Sequence, residues 1–270
     1  MASIDGALLD FRHIDRLAAG DTALHRLDPR AKVLVTLVFI GTIVSFDKYA
    51  VTAMVPFLIF PVAMVALGDL PPRYLITKIA ILCPFAVVAG MFNPFFDREV
   101  LIHIGSIGIT GGWVSFASIV VRAILTIGAA IILVGVTGFP AICQALEQLG
   151  SPRVFAVQLL FLYRYLFILT EEGARASRAR ELRSFGNKGL GMGSFGPLVG
   201  HLLLRTWARA ERIHVAMLAR GFSGEFHTRR EFHFGGRELL FLCGWSSLFI
   251  LLRLRNLPHM LGTLVTGIIR

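Results

Sequence analysis

The sequence predicts an all-α, polytopic membrane protein with about five transmembrane helices and a basic, cytoplasmic block of two long helices. Three observations lead there. Of the 270 residues, 55% are hydrophobic and only 16% charged, against about 25% charged in a soluble domain. Mean hydropathy is +0.71. The apolar residues gather in runs close to the ~20 residues that a helix needs to cross a bilayer. The same figures exclude a disordered chain, which requires low hydrophobicity. Three cysteines, Cys83, Cys143 and Cys243, are odd in number and widely spaced, so they do not form a disulfide framework.

The elements follow in order. The first thirty residues carry Asp5, Asp10, Arg12, Asp15, Arg16, Asp21 and Arg26 with no apolar run among them, so no cleavable signal peptide is expected. Span one starts at Asp28-Pro29. Aspartate is a good N-cap, and proline suits the first helical position, where an N–H would be unbonded. Its charge-free part is Val33–Phe46. Span two is Tyr49–Gly68, with Pro56 and Pro61; span three is Ile79–Phe96, with Pro84 and Pro94. Prolines are tolerated in membrane helices where neighbours satisfy the freed carbonyls. Span four lies between Val114 and Phe139 and holds Arg122, for which an interfacial or interhelical role is expected. Span five is Leu239–Leu252, extendable through Glu238 and Arg253. The expected organisation is therefore 1–139 (lead-in and four spans), 140–232 (the cytoplasmic block) and 233–270 (last span and tail).

Basic residues set the direction. Ten Lys and Arg precede residue 140, thirteen fall in 140–232 and four follow; the acids number nine, seven and one. Arg12 to Lys32, then Arg73 and Lys78, then the thirteen-base block all fall on one side if the N-terminus is cytoplasmic. Most of the net charge of +10 is thus a topology signal, and no nucleic acid partner is expected. Arg253, Arg255 and Arg270 would lie outside. Either span five is re-entrant or the tail is too short to matter.

Within the block, Phe139-Pro140 opens a short helix ending at Gly150. Ser151-Pro152 opens a longer one, which continues past Gly173 to Phe185-Gly186. Thirty-odd residues make a rod of about 50 Å. Its first half, Val154–Leu169, is almost wholly apolar; its second half carries Glu171, Glu172, Arg175, Arg178, Arg180, Glu181 and Arg183. One rod would start against lipid and end in water. A glycine-rich link, Gly186 to Gly196, leads to a second helix from near Pro197 to Arg220-Gly221. There Arg205, Arg209 and Arg212 share one face. The link contains a literal G-x-G-x-x-G, Gly191 to Gly196, but no strand precedes it as a dinucleotide site requires; a hinge is expected. Eight histidines show no helical pairing with a third ligand, so no metal site is expected in this chain.

The stretch Glu211-Arg212-Ile213-His214-Val215-Ala216-Met217-Leu218-Ala219-Arg220-Gly221-Phe222 resembles the second coupling motif of the transmembrane T components of energy-coupling factor (ECF) transporters, with its core Ala219-Arg220-Gly221 intact. Leu24-His25-Arg26-Leu27-Asp28-Pro29-Arg30-Ala31-Lys32 resembles the family's lead-in to its first span, in wording closest to the cobalt/nickel branch. The first coupling motif is degenerate. Ala179-Arg180 keeps two residues before the helix end, and Arg183 keeps only the arginine at the end itself; by position Arg183 is preferred.

The resemblance implies a non-catalytic subunit of an importer. Two ATPase subunits would bind ATP and Mg in the cytoplasm, and a membrane capture subunit would hold a cobalt or nickel ion. The two long helices would cross and form the coupling module, each offering its terminal arginine to one ATPase. The capture subunit would land on Leu159, Leu160, Phe161, Leu202, Trp207 and Met217. This chain would bind no cofactor and sit as a multi-pass protein in the cell (inner) membrane. A vitamin importer, for example for biotin, is the nearest rival. A membrane-embedded lipid-modifying enzyme is the rival from another class, although the sequence has no H-E-x-x-H or G-x-S-x-G.

Overall fold

Asp28 and Pro29 open the first long helix by the capping chemistry their types supply. In the computed structural model, which describes residues 13–96, 100–104, 107–183, 192–222 and 234–254, helix α1 is Pro29–Val44. Asp28 Oδ1 accepts the Arg30 N–H at 2.8 Å, so one first-turn donor is satisfied while Pro29 occupies a position that needs none. Helix α2 covers Val51–Leu67. Its prolines do not end it; the middle tightens into a 3₁₀ turn at Val55–Leu58 and the helix resumes at Ile59–Leu67. Helix α3 is Pro72–Gly90, starting and ending earlier than the span expected at Ile79–Phe96. Pro71-Pro72 provides the early start, and the chain turns at Met91-Phe92 before a separate helical turn, Asn93–Phe96.

An antiparallel hairpin, β1 (Val100–Ile104) and β2 (Ile107–Thr110), fills the stretch expected to be loop, with Ile104 opposite Ile107 and an irregular register between Val100 and Ile102. Helices α4 (Gly111–Thr137), α5 (Phe139–Gln148), α6 (Arg153–Arg183), α7 (Met192–Ala219) and α8 (Gly236–Leu254) complete the chain. The protein is an all-α membrane protein carrying this one hairpin among the described residues. By length and composition, α3, α4 and the Arg153–Arg180 part of α6 can cross a membrane, and α2 is a shorter apolar helix. Helix α7 starts upstream of Pro197, so Met192–Gly196 is helical and not a hinge. Glycine and proline in the opening turns lower propensity, but a long helix propagates through them once nucleated.

The chain divides into two compact units, Arg16–Gly138 with Phe232–Arg270, and Met1–Asp15 with Phe139–Glu231. The core of the first is aromatic. Phe39, Phe57, Phe60 and Phe249 are each at most 1% exposed; Phe39 lies 4.6 Å from Phe60 and 5.3 Å from Phe249 between ring centroids, and Phe60 lies 5.0 Å from Trp245. Helices α3 and α4 pack closely through glycines. A Cβ on Gly90 would meet Phe116 at 3.1 Å, and one on Gly128 would meet Ile79 at 3.3 Å. Between helices in lipid, such close approach replaces the hydrophobic drive that water would supply.

Two arginines close the far end of α1. Arg122 Nη2 donates to the Phe46 carbonyl at 2.9 Å. Arg253 Nη2 donates to the Ser45 carbonyl at 2.8 Å and stacks over the Phe46 ring at 4.1 Å. A helix C-terminus leaves its last carbonyls unpaired and carries partial negative charge, so cations belong there. At the other end of α8, Arg237, Glu238 and Phe241 line a cavity together with Leu24 and Leu27. Helix α8 therefore runs the length of α1.

The lead-in is pinned by His25, 7% exposed. Its Nε2 bonds the Leu17 carbonyl at 2.9 Å, and its Nδ1 lies 2.7 Å from the Thr22 hydroxyl. A carbonyl only accepts, so Nε2 carries the proton and Nδ1 of the neutral ring accepts from Thr22. Burial lowers the His25 pKa below its ordinary 6.5; Lys32 also lowers it, while the Leu17 bond and Asp21 oppose. The unfolded chain then takes up a proton that the folded ring refuses, so stability is full above the ordinary value and falls as pH drops below it. The melting temperature of the purified protein should decline between pH 7.5 and 5.5, and H25Q should flatten that decline. An unchanged slope in H25Q would refute the assignment.

In the second unit, Cys143 and Ala145 of α5 are buried. Tyr163 of α6 stacks on Phe139 at 4.8 Å, meets Phe167 edge-on at 5.1 Å, and donates its hydroxyl to the Asp15 carboxylate. The N-terminal segment is thereby tied to the long helix.

Candidate functional site

Helix α7 ends in a defined geometry at the conspicuous Ala219-Arg220-Gly221 sequence. The Phe222 N–H reaches back to the Met217 carbonyl and the Gly221 N–H to that of Leu218, both at 3.0 Å. Gly221 has φ +82°. This is a Schellman stop, and a Cβ at the left-handed position would cost stability. It leaves Ala219, Arg220 and Gly221 exposed at the helix tip. The negative end of the helix dipole favours a cation there, and the guanidinium fork matches a carboxylate bidentately.

Helix α6 runs unbroken through Gly173 to Arg183, its last described residue. Ala179 is exposed and Arg180 half-buried within the helix body; Ser184, Phe185 and Gly186 lie outside the described residues. Of the surface expected for a membrane partner, Leu159, Leu160, Phe161, Leu202 and Met217 are half-buried, and Trp207 is 73% exposed. The most exposed apolar side chains near them are Val154, Leu162, Leu203 and Leu204. Sequence reading missed these. The run Leu202-Leu203-Leu204 carried the signal: three successive leucines cannot all face one neighbour on a helix of 3.6 residues per turn.

The two long helices are joined at Glu172. This buried carboxylate of α6 meets Arg175 at 2.8 Å one turn on and Arg205 of α7 at 2.9 Å. In the sequence Glu172 is one of seven charges on the second half of α6; the link to α7 could not be read because it spans two helices.

A family profile described as CbiQ, cobalt transport protein, matches residues 20–233. The chain belongs to this family. It is 30% identical over 250 residues to the energy-coupling factor transporter transmembrane protein EcfT of Heliobacterium modesticaldum, covering 86% of this chain and 92% of that one. The EcfT of Leuconostoc gelidum subsp. gasicomitatum is 31% identical over 229 residues, 77% of this chain and 83% of its own. That of Streptococcus thermophilus is 27% identical over 230 residues, 78% and 85% respectively. The chain is thus a T component, the energy-coupling transmembrane subunit of an ECF transporter, and not itself an enzyme. This sets aside the lipid-modifying reading.

Glu172 is the ion-pair link between α6 and α7. E172Q keeps shape and removes the charge that holds Arg205. Transport by the assembled complex should fall severalfold, because α6 and α7 lose their charged link; an E172Q complex transporting at the wild-type rate would show the joint to be dispensable.

Proposed function

We propose that this T component serves a cobalt (or nickel) importer and that its coupling module, residues 140–232, transmits ATPase motion through Arg220 and Arg183. Two ATPase subunits in the cytoplasm bind ATP and Mg. Their closure pulls the two helix tips, changes the relation of α6 to α7 about Glu172, and re-tilts a capture subunit that holds the ion. The capture subunit rests on the apolar side of the module, around Leu159, Leu160, Phe161, Leu202, Trp207 and Met217. The chain crosses the cell membrane several times with its N-terminus in the cytoplasm.

The observation that carries this reading is the exposed Arg220 at the end of a 28-residue helix, terminated by a glycine in the left-handed region. A flexible loop could not transmit a pull; a helix that ends one residue before its arginine can. The unbroken course of α6 through Arg180 to Arg183 supports Arg183, and not Arg180, as the second contact. The cobalt description of the family profile and the 24–32 lead-in support the metal branch. Uptake by cells expressing this chain with its companion subunits tests the ion: labelled cobalt or nickel should accumulate in an ATP-dependent manner. Accumulation of biotin or another vitamin without either metal would overturn the metal assignment.

A further inference from the structure

Two cavities between α6 and α7 form one crevice with two chemical halves. One, of about 230 Å³, is apolar and bounded by Tyr165, Leu169, Leu203, Trp207 and Ala210. The other, of about 360 Å³, is charged and bounded by Glu172, Arg205 and Arg212. Ile168, Thr206 and Arg209 line both.

The charge of the second half is unbalanced. Its one carboxylate, Glu172, is already shared by Arg175 and Arg205. Arg209 and Arg212 are exposed and hold no carboxylate within ion-pair distance among the described residues, although Arg209 acts on Glu172 through space. They stand one turn apart at the mouth of the cavity, so an anion of phosphate size could take a hydrogen-bonding fork from each. The crevice also sits at a particular level on α6. The apolar run ends at Leu169 and the charges begin at Glu171, which is where a helix leaving hydrocarbon reaches the headgroups. Trp207, 73% exposed at the apolar half, is a side chain that favours this boundary.

We propose that the crevice binds an anionic phospholipid, its phosphate held by Arg209 and Arg212 and one acyl chain laid along Tyr165, Leu169, Leu203 and Ala210. A soluble phosphate would use the arginines but leave the apolar half wet. An acidic protein segment would pair with the arginines but leave the adjoining apolar half unfilled. The lipid ties the two long helices to the bilayer surface and adds a contact between them beside the Glu172 joint. The inference stands apart from the coupling proposal, because it makes no use of Arg220 or of the transported ion.

The test is native mass spectrometry of the full chain in its purified complex, after mild detergent exchange, with dioleoylphosphatidylglycerol or dioleoylphosphatidylcholine added. The intact chain should retain the anionic lipid at least about tenfold better than the zwitterionic one, since each basic side chain at a membrane surface contributes about tenfold or somewhat less. R209Q/R212Q should remove this preference. A210W, which fills the apolar slot but leaves both arginines, should also lower retention. Equal retention of both lipids by the intact chain would overturn the proposal. So would displacement of the lipid by millimolar inorganic phosphate, or undiminished retention in A210W, which would reduce the site to an anion site without a chain groove. Both exchanged arginines are solvent-exposed, and circular dichroism of each variant confirms that the helices persist.

Discussion

R220E should abolish transport and release one ATPase from the complex, while the chain still inserts in the membrane. The arginine is exposed at the α7 tip in the isolated chain, so its loss costs the fold almost nothing. In the assembled transporter it would be buried against an acidic partner. Truncating one member of such a pair costs about 3–5 kcal/mol, because the other charge is left stranded, and reversal adds repulsion. That corresponds to a loss of affinity of at least about a hundredfold. R220K separates charge from geometry: it keeps the cation but loses the planar fork, so partial activity is expected. G221A should give a smaller defect through the helix stop, since φ +82° disfavours any residue with a Cβ. Membrane fractionation, co-purification and uptake read all three.

F39A is the second large effect, and it acts on stability alone. The ring is fully buried and meets Phe57, Phe60 and Phe249, which brings α1, α2 and α8 to one point. Removing a buried phenylalanine costs about 3–5 kcal/mol through lost contacts and the cavity that remains. For a chain of this size the melting temperature in detergent should drop on the order of 10 °C. ATPase binding by surviving protein should be normal, because the knot lies in the other compact unit from Arg220. F39L should recover most of the loss. A melting temperature within a degree or two of wild type in F39A would mean that the aromatic knot does not hold the bundle.

Much of this was legible in the sequence, for local reasons. Asp28-Pro29 marks a helix start by its own chemistry, and the structure has the cap bond there. Gly221 after Arg220 marks a helix stop in the same way. Composition alone required a helical membrane protein. What the sequence hid depended on partners distant in the chain. Arg253 seemed misplaced on the outer side until it met Ser45 and Phe46, 208 residues away. Glu172 looked like one of several surface acids on α6 until Arg205 was found beside it. The hairpin strands Val100–Ile104 and Ile107–Thr110 are short, and the alternation of Ile102, Ile104, Ile107 and Ile109 is a weaker signal than a long apolar run. Helix α3 starts at Pro72, upstream of the apolar run at Ile79, because charges such as Arg73 and Lys78 in the opening turns do not oppose helix formation as they oppose membrane burial.

The coupling claim is tested most directly by placing a photo-crosslinking amino acid at position 220 in the complete transporter and illuminating it with and without ATP. The account predicts one dominant adduct with an ATPase subunit, and a matching adduct from position 183 with the second. A cross-link from position 220 to lipid or solvent alone, in a complex that still imports its substrate, would contradict it.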